Sequence, residues 1–317
     1  YDIIFFWVAR MIMFGLSQMG EIPFHTVFVH GIVRDELGRK MSKSLGNGID
    51  PLKIIAEYGA DSLRFSLTMG VSAGNDMRFY AGKVESARNF ANKIWNASRF
   101  VLMNVEGAEI RPVDQVELDI ADRWILSRLN CAVEEITSHL ERYDLGLASQ
   151  KIYDFIWSEL CDWYIEMAKP RLYGDSKREK DDVLSVLVHV LGETLKLLHP
   201  FMPFISEEIY THLPCSEETI MRSAWPRANP AFAFPEESAA MAGIMGAITA
   251  VRNIRAEMNV APSKRTHQIV VATPERARAF EQTEVYLQKL ASASSVEIRT
   301  DKEGIPADAV SVVCEMG

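Results

Sequence analysis

Two lysines stand three residues apart in Lys40-Met41-Ser42-Lys43-Ser44, with small hydroxyls near them and a glycine on either side, Gly38 and Gly46. Glycines let such a loop bend, because they tolerate backbone angles other residues avoid. Lysines are mobile point charges suited to phosphate. Reactions that transfer phosphoryl or nucleotidyl groups use cations to neutralise charge developing on the phosphates. The residues therefore point to a flexible lysine clamp on a nucleoside triphosphate. The alternative is a solvated surface loop, since Lys and Ser are common there. By ordinary residue frequencies, the five-letter string arises in roughly one chain in ten thousand of this length.

Other site chemistries have little support. The cysteines, Cys131, Cys161, Cys215 and Cys314, show neither metal-ligand spacing nor a disulfide framework, and the seven histidines form no HExxH-type pair. We expect no protein-bound metal and reduced thiols. The 48% hydrophobic and 24% charged composition is that of a soluble globular chain. No apolar run is long enough to span a membrane, and the first residues lack the layout of a signal peptide. The net charge of −9 argues weakly against nucleic acid, but phosphate affinity follows local charge rather than the sum.

The elements that must position the clamp follow from periodicity. Residues 3–16 are apolar on nearly all faces, which predicts a helix packed in an α/β core. Thr26-Val27-Phe28-Val29 predicts a buried strand, placing the lysine loop near the carboxyl end of a sheet, where ligands bind in open α/β folds. Asp50-Pro51 predicts an N-cap and first helical residue, and Asp61 predicts the cap of a helix over 62–69. From about Tyr80, segments of helical period run over 80–104, 119–141, 146–172, 177–200 and 203–213, which is a helix bundle. A Pro- and Ala-rich linker, 222–235, leads to a helix over 236–257. Strand-like 267–272, helical 274–291 and strand-like 295–299 then make a small α/β element. The chain begins without Met in an apolar helix and stops after a strand-like run, 309–314, so both ends are expected to be cuts in a longer protein.

Lys40-Met41-Ser42-Lys43-Ser44 is letter for letter the second signature of the class I aminoacyl-tRNA synthetases, which this chain resembles. His30 through Asp35 and Gly46 through Pro51 are similar to the stretch around that signature in the valine, isoleucine and leucine enzymes. Asp2-Ile3-Ile4-Phe5-Phe6-Trp7-Val8-Ala9-Arg10-Met11 and Val251-Arg252-Asn253-Ile254-Arg255-Ala256-Glu257-Met258-Asn259-Val260-Ala261-Pro262 resemble the valine branch specifically.

The resemblance implies a mainly α chain in three parts. Residues 1–70 are the second half of a Rossmann-like catalytic domain, 71–225 an anticodon-binding helical bundle, and 226–317 a linker, a long helix and a small truncated α/β element. It implies that Lys43 binds ATP phosphate with Lys40 as its weaker partner, and that Ser42, His30 and Gly31 belong to the ATP site. Asp2 holds the ribose of the adenylate, and Trp7 walls an apolar valine pocket. Such a pocket rejects threonine only modestly, so the family adds an editing site.

The His-x-Gly-His signature of the family and its editing insertion are missing. The chain alone is therefore expected to bind tRNA weakly and catalyse nothing, whereas the full-length protein would use valine, ATP with Mg2+, and tRNA(Val). A cytoplasmic monomer without membrane contact is the accompanying expectation. Rival readings are a non-catalytic tRNA-binding relative of a synthetase, and the isoleucyl or leucyl enzyme.

In this family the helices after the signature bind the anticodon region. Residues 76–100 carry Arg78, Lys83, Arg88, Lys93 and Arg99 against Asp76 and Glu85. Phe90, Ile94, Ala97 and Val101 form one core stripe at helical spacing, with Arg88, Asn92, Trp95 and Arg99 opposite. Splayed bases need stacking partners and hydrogen-bonding edges. Arg78, Lys93, Arg99 and Phe100 are the expected anticodon contacts. Trp95 could stack on a base or pack on a neighbouring helix. Trp157, Trp163, Tyr153 and Tyr164 read as bundle core, and the sequence from His199 to Pro203 as a helix-breaking corner. Arg252 and Arg255 share a helix face and could reach RNA or only water.

Overall fold

The structure, a computed structural model, describes residues 1–317 except 215, 307–308 and 315–317. The protein is mainly α-helical. After the first segment come β1 (Val33–Arg34), α2 (Pro51–Tyr58), α3 (Ala60–Thr68) and β2 (Met77–Arg78). The bundle follows as α4 (Ala81–Val105), α5 (Ile120–Glu141), α6 (Leu145–Asp154), α7 (Ile165–Leu172), α8 (Lys177–Leu198) and α9 (Pro203–Tyr210). The chain then forms α10 (Pro235–Glu257), β3 (Thr266–Val271), α11 (Pro274–Gln282), α12 (Glu284–Leu290) and β4 (Ala293–Arg299). No helix among the described residues is long and apolar enough to cross a membrane.

The first segment is helical, as expected, but departs from expectation in its burial. One short α-helix, α1 (Ala9–Phe14), lies between π-helical turns Ile4–Val8 and Gly15–Met19, and none of these residues is buried. An all-round apolar helix needs a core, but the described residues place no second layer against it. The strand expected at 26–29 is also not formed. A strand persists only where a ladder partner exists, and here the parallel pair β1–β2 is two residues long, Val33 with Met77 and Arg34 with Arg78. The run 309–314 likewise forms no strand.

The bundle is the part local periodicity describes best, because each of its helices carries a continuous apolar stripe. One apolar core includes Phe90, Ile125, Ile136, Leu184 and Leu187 and continues to Tyr286 and Phe280 of the terminal element. The 146–172 segment is helical throughout, but a ten-residue π-helical stretch, Phe155–Tyr164, sits between α6 and α7. Tyr164 is fully buried, while Tyr153, Trp157 and Trp163 pack half-buried on the core. The Pro-rich linker is pinned to α5: Trp225 Nε1 donates to Thr137 Oγ1 at 2.9 Å, and Asn130 Nδ2 donates to the Asn229 carbonyl at 2.7 Å. The expected 274–291 helix breaks at the buried Thr283 into α11 and α12, the crossover joining the parallel pair β3–β4.

Asp50 behaves as its local sequence requires, accepting from Leu52 N at 3.0 Å ahead of Pro51. Asp61 does not. Gly59, at φ +89°, caps α3, and the Asp61 carboxylate accepts from Phe204 N at 3.2 Å and Ile205 N at 2.7 Å, capping α9 instead. Arg64, one turn on, donates to the carbonyls of Pro200 (2.9 Å) and Phe201 (3.3 Å). The corner between α8 and α9 thus clasps α3. Losing an N-cap acceptor costs about 0.5–2 kcal/mol, so Asp61→Ala should lower stability by that amount in urea unfolding; an unchanged midpoint would show the clasp to be idle.

Asp122 is fully buried. Tyr164 Oη donates to it at 2.6 Å and Arg171 through two nitrogens at 2.5 and 2.7 Å. Its neighbour Asp119 accepts from Tyr286 Oη at 2.6 Å, tying α12 to the bundle. Burial, with Asp122 beside it, pushes the Tyr164 hydroxyl well above its usual range, so it stays a neutral donor. Arg171 is buried too, yet Asp122 holds its pKa above the ordinary value.

Candidate nucleotide loop and RNA-facing helix

The lysine loop is folded on itself. Arg34 and Lys40 form an isolated antiparallel bridge, and Gly38 turns the chain between them at φ +79°. Asp35, 7% exposed, accepts from Arg39 N at 2.7 Å, Arg39 Nε at 2.8 Å and Asn47 Nδ2 at 2.9 Å. Asn47 accepts from Ser42 N at 2.9 Å and donates to the Lys40 carbonyl at 3.3 Å. Ser42 Oγ accepts from Leu45 N at 3.3 Å and lies 3.1 Å from Ser44 Oγ. Met41 packs on the small apolar cluster of Leu63, Phe79 and Val84, seating the loop against α3 and α4.

The Asn47 amide and the N–H groups of Arg39 pull the Asp35 carboxyl down to about 2. Its folded pKa lies below the unfolded value, so its contribution is complete at neutral pH and fades only as pH falls toward 2.

Lys40 Nζ lies 3.0 Å from Asp2 Oδ2, joining two expected site residues. Lys43 is exposed and forms no salt bridge among the described residues. Trp7 is 56% exposed with the Arg10 guanidinium 5.0 Å from its ring centroid. His30 and Gly31 lie next to the first segment, where the His30 carbonyl accepts from the Tyr1 amino group at 3.4 Å. They line a cavity of about 330 Å3 with Phe28, Thr68, Val71 and Tyr143, and no residue of 35–47 lines it. A Cβ on Gly31 would come within 2.0 Å of the Asn75 carbonyl oxygen, so glycine there serves a close backbone approach.

The four expected anticodon contacts separate. Arg78 lies on β2 with its guanidinium against Gly38, beside the lysine loop rather than on the bundle face. Lys93 is held by Asp162 Oδ1 at 2.5 Å and lies 3.8 Å from the Trp157 ring centroid. Phe100 packs half-buried on the core, under Lys169 Nζ at 5.6 Å. Arg99 faces solvent. With it on the exposed face of α4 stand Asn92, Trp95, Asn96 and Met103, Trp95 being 47% exposed. Trp95 therefore does not pack into the bundle. The signal for it was its position opposite the core stripe.

Arg252 is exposed and Arg255 half-buried, and both also bond within the chain. Arg252 Nε donates to the Leu290 carbonyl at 2.8 Å, and Arg255 donates to Thr266 Oγ1 at 3.1 Å and the Lys264 carbonyl at 2.5 Å. Both tie α10 to the terminal element. Cys131, Cys161 and Cys314 are free thiols, with burial pushing Cys161 up to about 12; Cys215 lies outside the described residues.

Residues 1–80 match the family described as tRNA synthetases class I (I, L, M and V), and residues 122–271 match the anticodon-binding domain of tRNA ligase. Valine–tRNA ligases of Clostridium tetani and Clostridium perfringens are each 53% identical to this chain, over 99% and 100% of its length. The chain belongs to the class I tRNA synthetases. That of Bacillus subtilis, also a valine–tRNA ligase, is 49% identical over 99% of the chain. The chain spans 36% of the length of each of these relatives. Two solved synthetases share the fold at TM-score 0.55 and 24% identity. One is an Agrobacterium radiobacter K84 LeuRS in ternary complex with tRNA and LeuAMS, in which 71% of this chain matches 27% of that one. The other is a Mycobacterium tuberculosis methionyl-tRNA synthetase in complex with methionyl-adenylate, in which 66% matches 42%.

Proposed function

We propose that this chain is the anticodon-binding part of a valine–tRNA ligase with the signature-loop part of its catalytic domain attached. The full-length protein activates valine with MgATP and transfers it to tRNA(Val); this chain supplies tRNA binding. The division is 1–70 catalytic, 71–225 anticodon-binding and 226–317 linker with terminal element. The protein works in the cytoplasm as a monomer, and the rest of the full-length catalytic domain covers the exposed helix at residues 4–19. Lys43, with Lys40 and Ser42, meets the ATP phosphates, and Asp2 the ribose. Trp7 walls the valine pocket. His30 and Gly31 shape the sheet edge behind that site.

The observation that carries the RNA reading is the solvent face of α4, where Asn92, Trp95, Asn96, Arg99 and Met103 present amides, an indole and an exposed cation on one side of a long helix. Bases stack on exposed aromatic faces, and amides and guanidinium groups hydrogen-bond their edges. Trp95 and Arg99 are the base and phosphate contacts. Lys93 and Phe100 support the helix from its flank, and Arg78 braces the signature loop. Base–aromatic stacking is worth about 1–3 kcal/mol per base, so Trp95→Ala should weaken the valine anticodon stem-loop by that amount in fluorescence titrations, with Phe100→Ala less affected. Equal affinities for Trp95→Ala and the unsubstituted chain would remove α4 from the interface.

A further inference from the structure

The structure assigns Asp35 and Asn47 as positioning residues of the proposed activation reaction: their side chains latch the signature loop shut and so present Lys40 and Lys43 from a preformed turn. The inference rests on the function proposed above. Asp35 spends one oxygen on Arg39 N and the other on Arg39 Nε and Asn47 Nδ2. Asn47 spends its oxygen on Ser42 N and its nitrogen on Asp35 and the Lys40 carbonyl. Only one orientation of the Asn47 amide satisfies these partners, because the carboxylate and the carbonyl require donors and Ser42 N requires an acceptor. One side chain thus grips the backbone on both sides of Met41, while Met41 itself is seated on Leu63, Phe79 and Val84. Gly46, at φ +61°, returns the chain so that Asn47 faces Asp35.

The latch reaches neither lysine side chain. Lys43 stays exposed at the apex, so the pair orders the loop without occupying its cation. A loop ordered in advance spares the substrate the entropy of ordering it, and small misplacements of a reacting group carry large rate losses. The loop is at the surface, so unlatching it should leave the bundle core untouched.

The test uses the full-length protein in valine-dependent ATP–pyrophosphate exchange. Asn47→Ala and Asp35→Asn should each lower kcat by about ten- to hundredfold, with the KM for valine, the thermal midpoint and the affinity for tRNA(Val) unchanged. The exchanged pair Asp35→Asn/Asn47→Asp should not recover that loss, because it sets a carboxylate against the Lys40 carbonyl and an amide nitrogen against Arg39 Nε. A kcat near the unsubstituted value in Asn47→Ala, full recovery in the exchanged pair, or losses that follow a falling thermal midpoint would overturn the latch. An unsubstituted protein without valine-dependent exchange would overturn the proposed function, and the positioning role with it.

Discussion

Asp122→Ala is expected to destabilise this chain by about 3–5 kcal/mol, since it takes from a buried cation the carboxylate that it hydrogen-bonds. Asp122 is fully enclosed, and Arg171 reaches it through two nitrogens at 2.5 and 2.7 Å. Removing the carboxylate leaves the guanidinium with only Asp119, whose Oδ2 lies 3.7 Å from Arg171 Nε. It also strips the Tyr164 hydroxyl of its 2.6 Å acceptor. Each buried polar group left unpaired carries its own desolvation cost. The terminal element should loosen as well, because Asp119, which receives Tyr286, shares the capping box with Asp122. Urea unfolding followed by circular dichroism measures the loss. A change under about 1 kcal/mol would mean that the network is relaxed by water, and that the burial described for it does not persist in solution.

Lys43→Ala in the full-length protein carries the second large effect. A preorganised group aimed at developing charge is worth about 10²–10³ in rate when removed. Lys43 is the loop cation without a salt bridge among the described residues, whereas Lys40 already meets Asp2 at 3.0 Å. Valine-dependent exchange should therefore fall by about that factor, while binding of tRNA(Val), whose proposed contacts lie on α4, stays unchanged. Lys40→Ala should cost less. An equal or larger loss in Lys40→Ala would reverse the roles given to the two lysines.

Features set by neighbours in the chain were legible from the residues. Asp50 caps the helix that Pro51 opens because both partners lie within three residues. The bundle helices were readable because each carries its own apolar stripe. Features set across the fold were not. Asp61 has the right type for a cap, but the helix it caps lies 143 residues on, and no local pattern names that partner. The strand expected at 26–29 has suitable residues, yet a ladder depends on a partner that the described residues scarcely provide. Residues 4–19 show their apolar character in the sequence but not what covers them.

The site divides in the same way. The signature was legible as a string, and its resemblance carried the family. What holds it closed was not, because Asp35 and Asn47 meet across twelve residues only once Gly38 and Gly46 have turned the chain. Lys93 and Phe100 have suitable chemistry for RNA, and they also touch Asp162, Trp157 and Lys169 of a second helix, partners that no local pattern names. Helical spacing alone set Trp95 opposite the core, and the structure leaves it exposed there.

The most direct test of the central claim is a titration of this chain with the anticodon stem-loop of tRNA(Val), set against the same stem-loop with its anticodon replaced, at about 50 and 200 mM salt. Binding to the valine anticodon should be roughly tenfold tighter or more, a difference of about 1.4 kcal/mol, and both affinities should fall steeply with salt as phosphate contacts are screened. Equal affinity for the two stem-loops, or no binding at low salt, would contradict the assignment of this chain as the anticodon-reading part of a valine–tRNA ligase.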